Sequence, residues 1–161
     1  MAFFAHMGAG FAMKPLAPKV PVGVLVAAGM WLDLVCFALM GLGVGGESIL
    51  AWTHGLFMSG VWSIFVGVAA GLIMKNPRGG IVIGAAVFSH WIIDFITHPM
   101  AGGDLQPDIP LFLEGSPKVG LGLYRDMTVA IIVDIASLLA GIAVYVYYRL
   151  HLPKPPVTPD K

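Results

Sequence analysis

His90, Asp94 and His98 recur every four residues inside an otherwise apolar run, Gly79 to Gly102. On a helix a four-residue step turns about 40° beyond a full circle, so the three side chains share one narrow stripe. Imidazole and carboxylate together suit a borderline divalent metal, with zinc or manganese foremost and iron also possible. Two histidines eight residues apart lie about 12 Å apart along a helix axis, too far to share one ion directly. The pairs His90–Asp94 and Asp94–His98 can converge, leaving the third group to orient a ligand or serve a second ion. His54 and one of Asp33 or Asp134 would complete the set. An ion with an open position lowers the pKa of bound water and supplies hydroxide near neutral pH, which leads from these residues to hydrolysis.

The elements that must position them are membrane-crossing helices. The 161-residue chain is 58% hydrophobic and 11% charged, with a mean hydropathy of +0.87. One soluble core could not hide so much apolar surface. Windows of about 20 apolar residues place spans at about 20–44, 50–74, 79–102 and 127–148. The expected fold is an all-α, four-helix transmembrane bundle in one domain, residues 1–152. A short embedded or interfacial helix within Met1–Met13 precedes it, and a Pro-rich tail, 153–161, follows. Nine basic residues balance nine acidic ones, so nothing argues for nucleic acid. Cys36 is the sole cysteine, which excludes an intrachain disulfide framework and a CxxC motif; it reads as a packing residue.

Basic residues set the expected orientation. Lys14 and Lys19, Lys75 and Arg78, and Arg149, Lys154 and Lys161 occupy the N-terminal flank, the middle turn and the C-terminal flank. The positive-inside rule then puts both termini in the cytoplasm of a plasma (inner) membrane, with the lipid bilayer as the first partner. On that topology His54, His90, Asp94, His98, Asp33 and Asp134 share the outer half of the bilayer. Ionisable groups are costly there and normally face a protein-lined site. The outer loop, 102–125, is long for a connection without a role, and its Ile109, Leu111, Phe112 and Leu113 predict a lid folded over the bundle. The pairs Gly67/Gly71 and Gly80/Gly84 permit close helix contact.

Three blocks carry a resemblance to a known family. His6-Met-Gly-Ala-Gly10 is similar to an N-terminal His-x-x-x-Gly, Thr53-His54-Gly55 to a Thr-His-Ser, and Ser89-His90 through Asp94 to Thr97 to a Ser-His-x-x-x-Asp-x-x-Thr. With these the chain resembles the YdjM-type membrane-bound metal-dependent hydrolases, themselves distantly similar to zinc-dependent phospholipase C. The resemblance implies that His6, Asp33, His54, His90 and Asp94 are metal ligands; His98 and Asp134 remain, from spacing and depth alone, the alternative ligands or outer partners. This chain has one aspartate, Asp33, where the family's Pro-Asp-x-Asp has two, and Gly55 where it has serine.

Two functions follow as expectations. One is a metal-dependent hydrolase acting on a lipid or phosphoester from the outer face. The other, favoured by the missing aspartate and serine, is a non-catalytic accessory subunit of a larger membrane complex. In that role a transmembrane histidine could contact a haem or chlorophyll-type cofactor. A proton or ion pathway ranks below both, because the inner half offers only Ser63 and small residues and no continuous polar path.

Overall fold

The computed structural model describes residues 2–45 and 47–152; the Pro-rich tail lies outside them. In chain order the helices are α1 (Phe3–Ala12), α2 (Val22–Gly29), α3 (Trp31–Gly41), α4 (Glu47–Thr53), α5 (Leu56–Ile73), α6 (Pro77–Thr97) and α7 (Met127–Leu150). Short 3-10 turns occupy Lys14–Leu16 and Leu123–Arg125. Two residues each of β1 (Ile109–Pro110) and β2 (Lys118–Val119) pair antiparallel in the connection between α6 and α7, Ile109 opposite Val119.

Local chemistry starts the long helices. Asn76 accepts from the Gly79 amide at 3.0 Å, with Pro77 in the first helical position of α6, where its missing N–H costs nothing. Asp126 does the same for α7 through the Val129 amide at 3.0 Å. Helices α5, α6 and α7 are long and apolar enough to cross a membrane. Large apolar side chains such as Ile64, Leu72, Ile132 and Leu139 remain exposed on α5 and α7, as expected where the surroundings are lipid rather than water. Helices α5 and α6 meet along glycine: a methyl on Gly80 would fall 2.5 Å from the Gly67 carbonyl oxygen.

Two expected spans are broken. The stretch 20–44 is not one helix but α2 and α3, bent by 62° at Met30. The stretch 50–74 divides into α4 and α5, with His54 and Gly55 between them. A break frees carbonyls from the helical ladder, which is tolerable at membrane depth only where protein supplies partners. The third span also ends early. His98, expected on the same helical stripe, has extended backbone and caps α6; Pro99, which disfavours helix in the residue before it, explains the stop.

The N-terminal segment also departs from expectation. Helix α1 runs parallel to α7: its Phe4 and Ala5 amides meet Asp134, and its Phe11 ring meets Tyr145, with centroids 5.8 Å apart. Ala2 is buried with Ala5 and Tyr124 beside Met100. Ala2 therefore sits at the α6–α7 loop end, opposite the C-terminal end of α7, and the two ends of the described chain do not share a side. The opposite end is basic. There the Lys14 ammonium donates to the Pro18 and Val20 carbonyls at 2.9 and 2.5 Å, and Arg78 Nε donates to the Leu16 carbonyl at 3.1 Å. Burial, and then the charge of Arg149, holds the Lys14 ammonium below the usual lysine range.

Candidate metal centre

Five side chains from four separate segments converge. Helix α1 brings His6, the first turn of α3 brings Asp33, the α4–α5 break brings His54, and successive turns of α6 bring His90 and Asp94. All five are buried. His6 Nε2 lies 3.2 Å from Asp94 Oδ1. His90 Nε2 lies 3.4 Å from Asp94 Oδ2 and 3.8 Å from Asp33 Oδ1. His54 Nε2 lies 3.3 Å from Asp33 Oδ1 and 3.9 Å from Asp94 Oδ2. Two triads, His6–His90–Asp94 and Asp33–His54–His90, each have ligand atoms within 4.8 Å of one another. Donors about 2.0–2.2 Å from one tetrahedral ion stand roughly 3.3–3.6 Å apart, close to the shorter separations here.

Hydrogen bonding fixes how two of the rings face the cluster. His90 Nδ1 sits 2.8 Å from the Gly29 carbonyl oxygen, which only accepts, so Nδ1 carries a proton. The bend at Met30 matters here, because Gly29 ends α2 and its carbonyl serves His90. His54 Nδ1 sits 2.7 Å from Thr53 Oγ1. The Thr53 hydroxyl spends its own proton on the Ile49 carbonyl at 2.7 Å, so it accepts from His54. His54 Nε2 and His90 Nε2 then face carboxylate oxygens; with Nδ1 protonated, a neutral ring would turn a lone pair toward them, which repels unless a proton or a cation lies between. His90 Nε2 and Asp33 Oδ2 are buried without any hydrogen-bond partner.

Protons on more than one ring at a time would serve poorly. His6 stacks on His90 at 3.5 Å with planes 5° apart, and His54 stands edge-on to His90 at 5.1 Å, so charging them sets like charges against each other in a low-dielectric interior. A divalent cation supplies two positive charges at one point and balances the two carboxylates. The donor set, three imidazoles and two carboxylates, with the outer nitrogens of His54 and His90 held by hydroxyl and carbonyl, fits a divalent metal.

The sequence candidates separate accordingly. His6, Asp33, His54, His90 and Asp94 come together. His98 stands at the edge: its Nε2 is 3.9 Å from Asp94 Oδ1, while its Nδ1 pairs with Asp108 Oδ2 at 2.9 Å. Asp134, expected in the common pocket, is elsewhere. Its oxygens accept from the Phe4 and Ala5 amides at 3.2 and 2.8 Å and from the Tyr124 hydroxyl at 3.4 Å. Height along a span did not reveal that Asp134 faces α1. The Gly29 carbonyl and Asp108 support the centre without having been singled out, and Thr53 was named only as part of a motif, with no role. For Thr53 a signal existed, its place beside His54.

The loop covers part of this end. Leu111 accepts from the Phe57 amide at 3.0 Å, and His98 accepts from the Gly122 amide at 2.7 Å. Ile109 is fully buried, whereas Phe112 and Leu113 are exposed, so only part of the expected apolar lid packs inward. No family model, curated protein or solved structure matches the chain. Geometry therefore carries the reading of the site.

Proposed function

We propose that this chain is an integral membrane protein whose His6–Asp33–His54–His90–Asp94 cluster holds a divalent metal, zinc or manganese by preference, and hydrolyses a lipid or phosphoester from the outer face. In this reading α5, α6, α7 and the bent α2–α3 pair cross the bilayer, the basic end faces the cytoplasm and the cluster lies in the outer half. The resemblance to YdjM-type hydrolases fits the same assignment. One observation carries it: the Nε2 atoms of His54 and His90, whose Nδ1 protons go to acceptors on the far side, both face carboxylates.

A bound divalent ion supplies Lewis acidity and activates water near neutral pH. The chain's own groups do the rest. The Gly29 carbonyl and Thr53 hydroxyl fix the tautomers of His90 and His54. Asp94, flanked on both oxygens by imidazoles, holds His6 and His90 together. The Asp108 carboxylate holds the partly exposed His98 ring beside the centre. A haem or chlorophyll ligand is disfavoured, because the faces and edges of the clustered imidazoles are already filled by one another and by carboxylates.

Metal analysis of protein purified in detergent, with phosphodiester lipid and water-soluble phosphoester hydrolysis measured alongside, tests this. Stoichiometric zinc or manganese is expected, with loss of both metal and turnover in His90→Ala. A metal-free protein unaffected by that substitution would remove the proposal. Metal without turnover would reduce it to a structural centre.

A further inference from the structure

We propose that Asp134 is a positioning residue for the centre, holding His6 in place by capping the first turn of α1 from the neighbouring helix. This rests on the metal reading above and adds a role outside the ligand set.

A ten-residue helix is about 15 Å long and marginal by itself. Its first amides have no partner within the helix, and Ala2, at the cap position, has no side chain to offer them. Phe4 is exposed, but Ala5 is buried and Ala2 fully so, which leaves the Ala5 amide dependent on a protein acceptor. The Asp134 carboxylate takes the Phe4 and Ala5 amides at 3.2 and 2.8 Å, and its negative charge suits the positive end of a helix. The group sits on α7, whose own backbone bonds hold it rigid, and Tyr124 pins Oδ1 from the other side at 3.4 Å. One residue beyond the capped Ala5 comes His6, 3.2 Å from Asp94 and stacked on His90. Below, Gly8 packs against the backbone of Ser137 and Gly141. The cap joins the glycine seam and the Phe11–Tyr145 contact in holding α1 against sliding along α7, and of these it lies nearest His6, so the azimuth and depth of His6 depend on it.

The test uses full-length protein in detergent with cobalt(II) as the probe, because its visible absorption reports coordination number and symmetry. Wild type, Asp134→Ala, His6→Ala and the double variant are titrated, with circular dichroism and gel filtration as folding checks. Asp134→Ala is expected to weaken cobalt binding about 10- to 100-fold and to give the spectrum of His6→Ala. The double variant is expected to bind no more weakly than His6→Ala alone, since residues acting through one another do not add. Wild-type affinity and spectrum in Asp134→Ala, or additive losses in the double variant, would overturn the proposal. Should Asp134→Ala fail to fold, Asp134→Asn decides by the same comparisons, because it keeps one oxygen for the Ala5 amide and sets a donor against Phe4. No cobalt band in wild type would overturn the metal reading itself, and this proposal with it.

Discussion

Two histidines in the cluster owe their orientation to groups that lie outside it. Thr53 illustrates the energetics. Its hydroxyl accepts from His54 Nδ1 only because its own proton goes to the Ile49 carbonyl, so Thr53→Val leaves a buried imidazole N–H without a partner. Competition titration against a chromophoric chelator is expected to show metal affinity lowered about 10- to 100-fold in Thr53→Val, with Thr53→Ser close to wild type. Tyr124 offers a pH test. Burial, then the Asp134 charge and the hydrogen bond to it, pushes its phenol up to about 12, above the value of about 10 for an unfolded tyrosine. The folded chain thus holds this proton more tightly. Its contribution to stability is intact below about pH 10 and drains as pH rises towards 12. Spectrophotometric titration of tyrosinate should lose its last ionisation in Tyr124→Phe. How much of the site was legible varied residue by residue. His90 and Asp94 were, since a four-residue spacing is a local property of one helix. Their height and that of Asp134 were equally visible, but the direction a side chain faces depends on neighbours that no single segment encodes. His6 emerged only through resemblance, because Met1 to Met13 is too short to read as a span.

The helices that bring these residues together are closely apposed at glycine. On α6, a methyl at Gly80 would lie 2.5 Å from the Gly67 oxygen and 2.7 Å from the Gly71 Cα, and backbone cannot step aside as a side chain can. Gly80→Ala should therefore lower stability by about 1–3 kcal/mol, read from thermal unfolding in detergent. Gly23→Ala is the matched control: nothing lies within 4 Å of its added carbon, so it should be neutral or stabilising by about 0.5–1 kcal/mol. The seam was visible in the sequence as Gly67/Gly71 and Gly80/Gly84, because small residues four apart make a flat face. The 62° bend was not, since neither Gly29 nor Met30 forbids a continuous helix, and only the tertiary partners of the freed backbone favour the break.

For the whole molecule, charge and apolarity were the legible features. Three helices long and apolar enough to cross a membrane follow from composition windows, and the basic groups Lys14, Arg78 and Arg149 gather at one end. The proposed orientation makes a direct prediction. In a background with buried Cys36 replaced by alanine, a cysteine at exposed Asp104 should react with a membrane-impermeant maleimide on intact cells. One at exposed Lys75 should react only after permeabilisation. Labelling in the reverse order would invert the molecule and put the cluster in the inner half. What composition could not convey is that Ala2 lies near the loop end, since a chain is expected to start on the side where its first lysines lie.

The acceptor for His90 is a peptide oxygen, and this has a consequence for any mutational survey. Every replacement at position 29 preserves that oxygen, yet a single added carbon there would collide with the His6 carbonyl 2.5 Å away. Saturation mutagenesis would score Gly29 as intolerant for steric reasons and stay blind to its electronic contribution. Only a change to the main chain itself, such as swapping the amide linkage for an ester, would expose what that oxygen does for the imidazole.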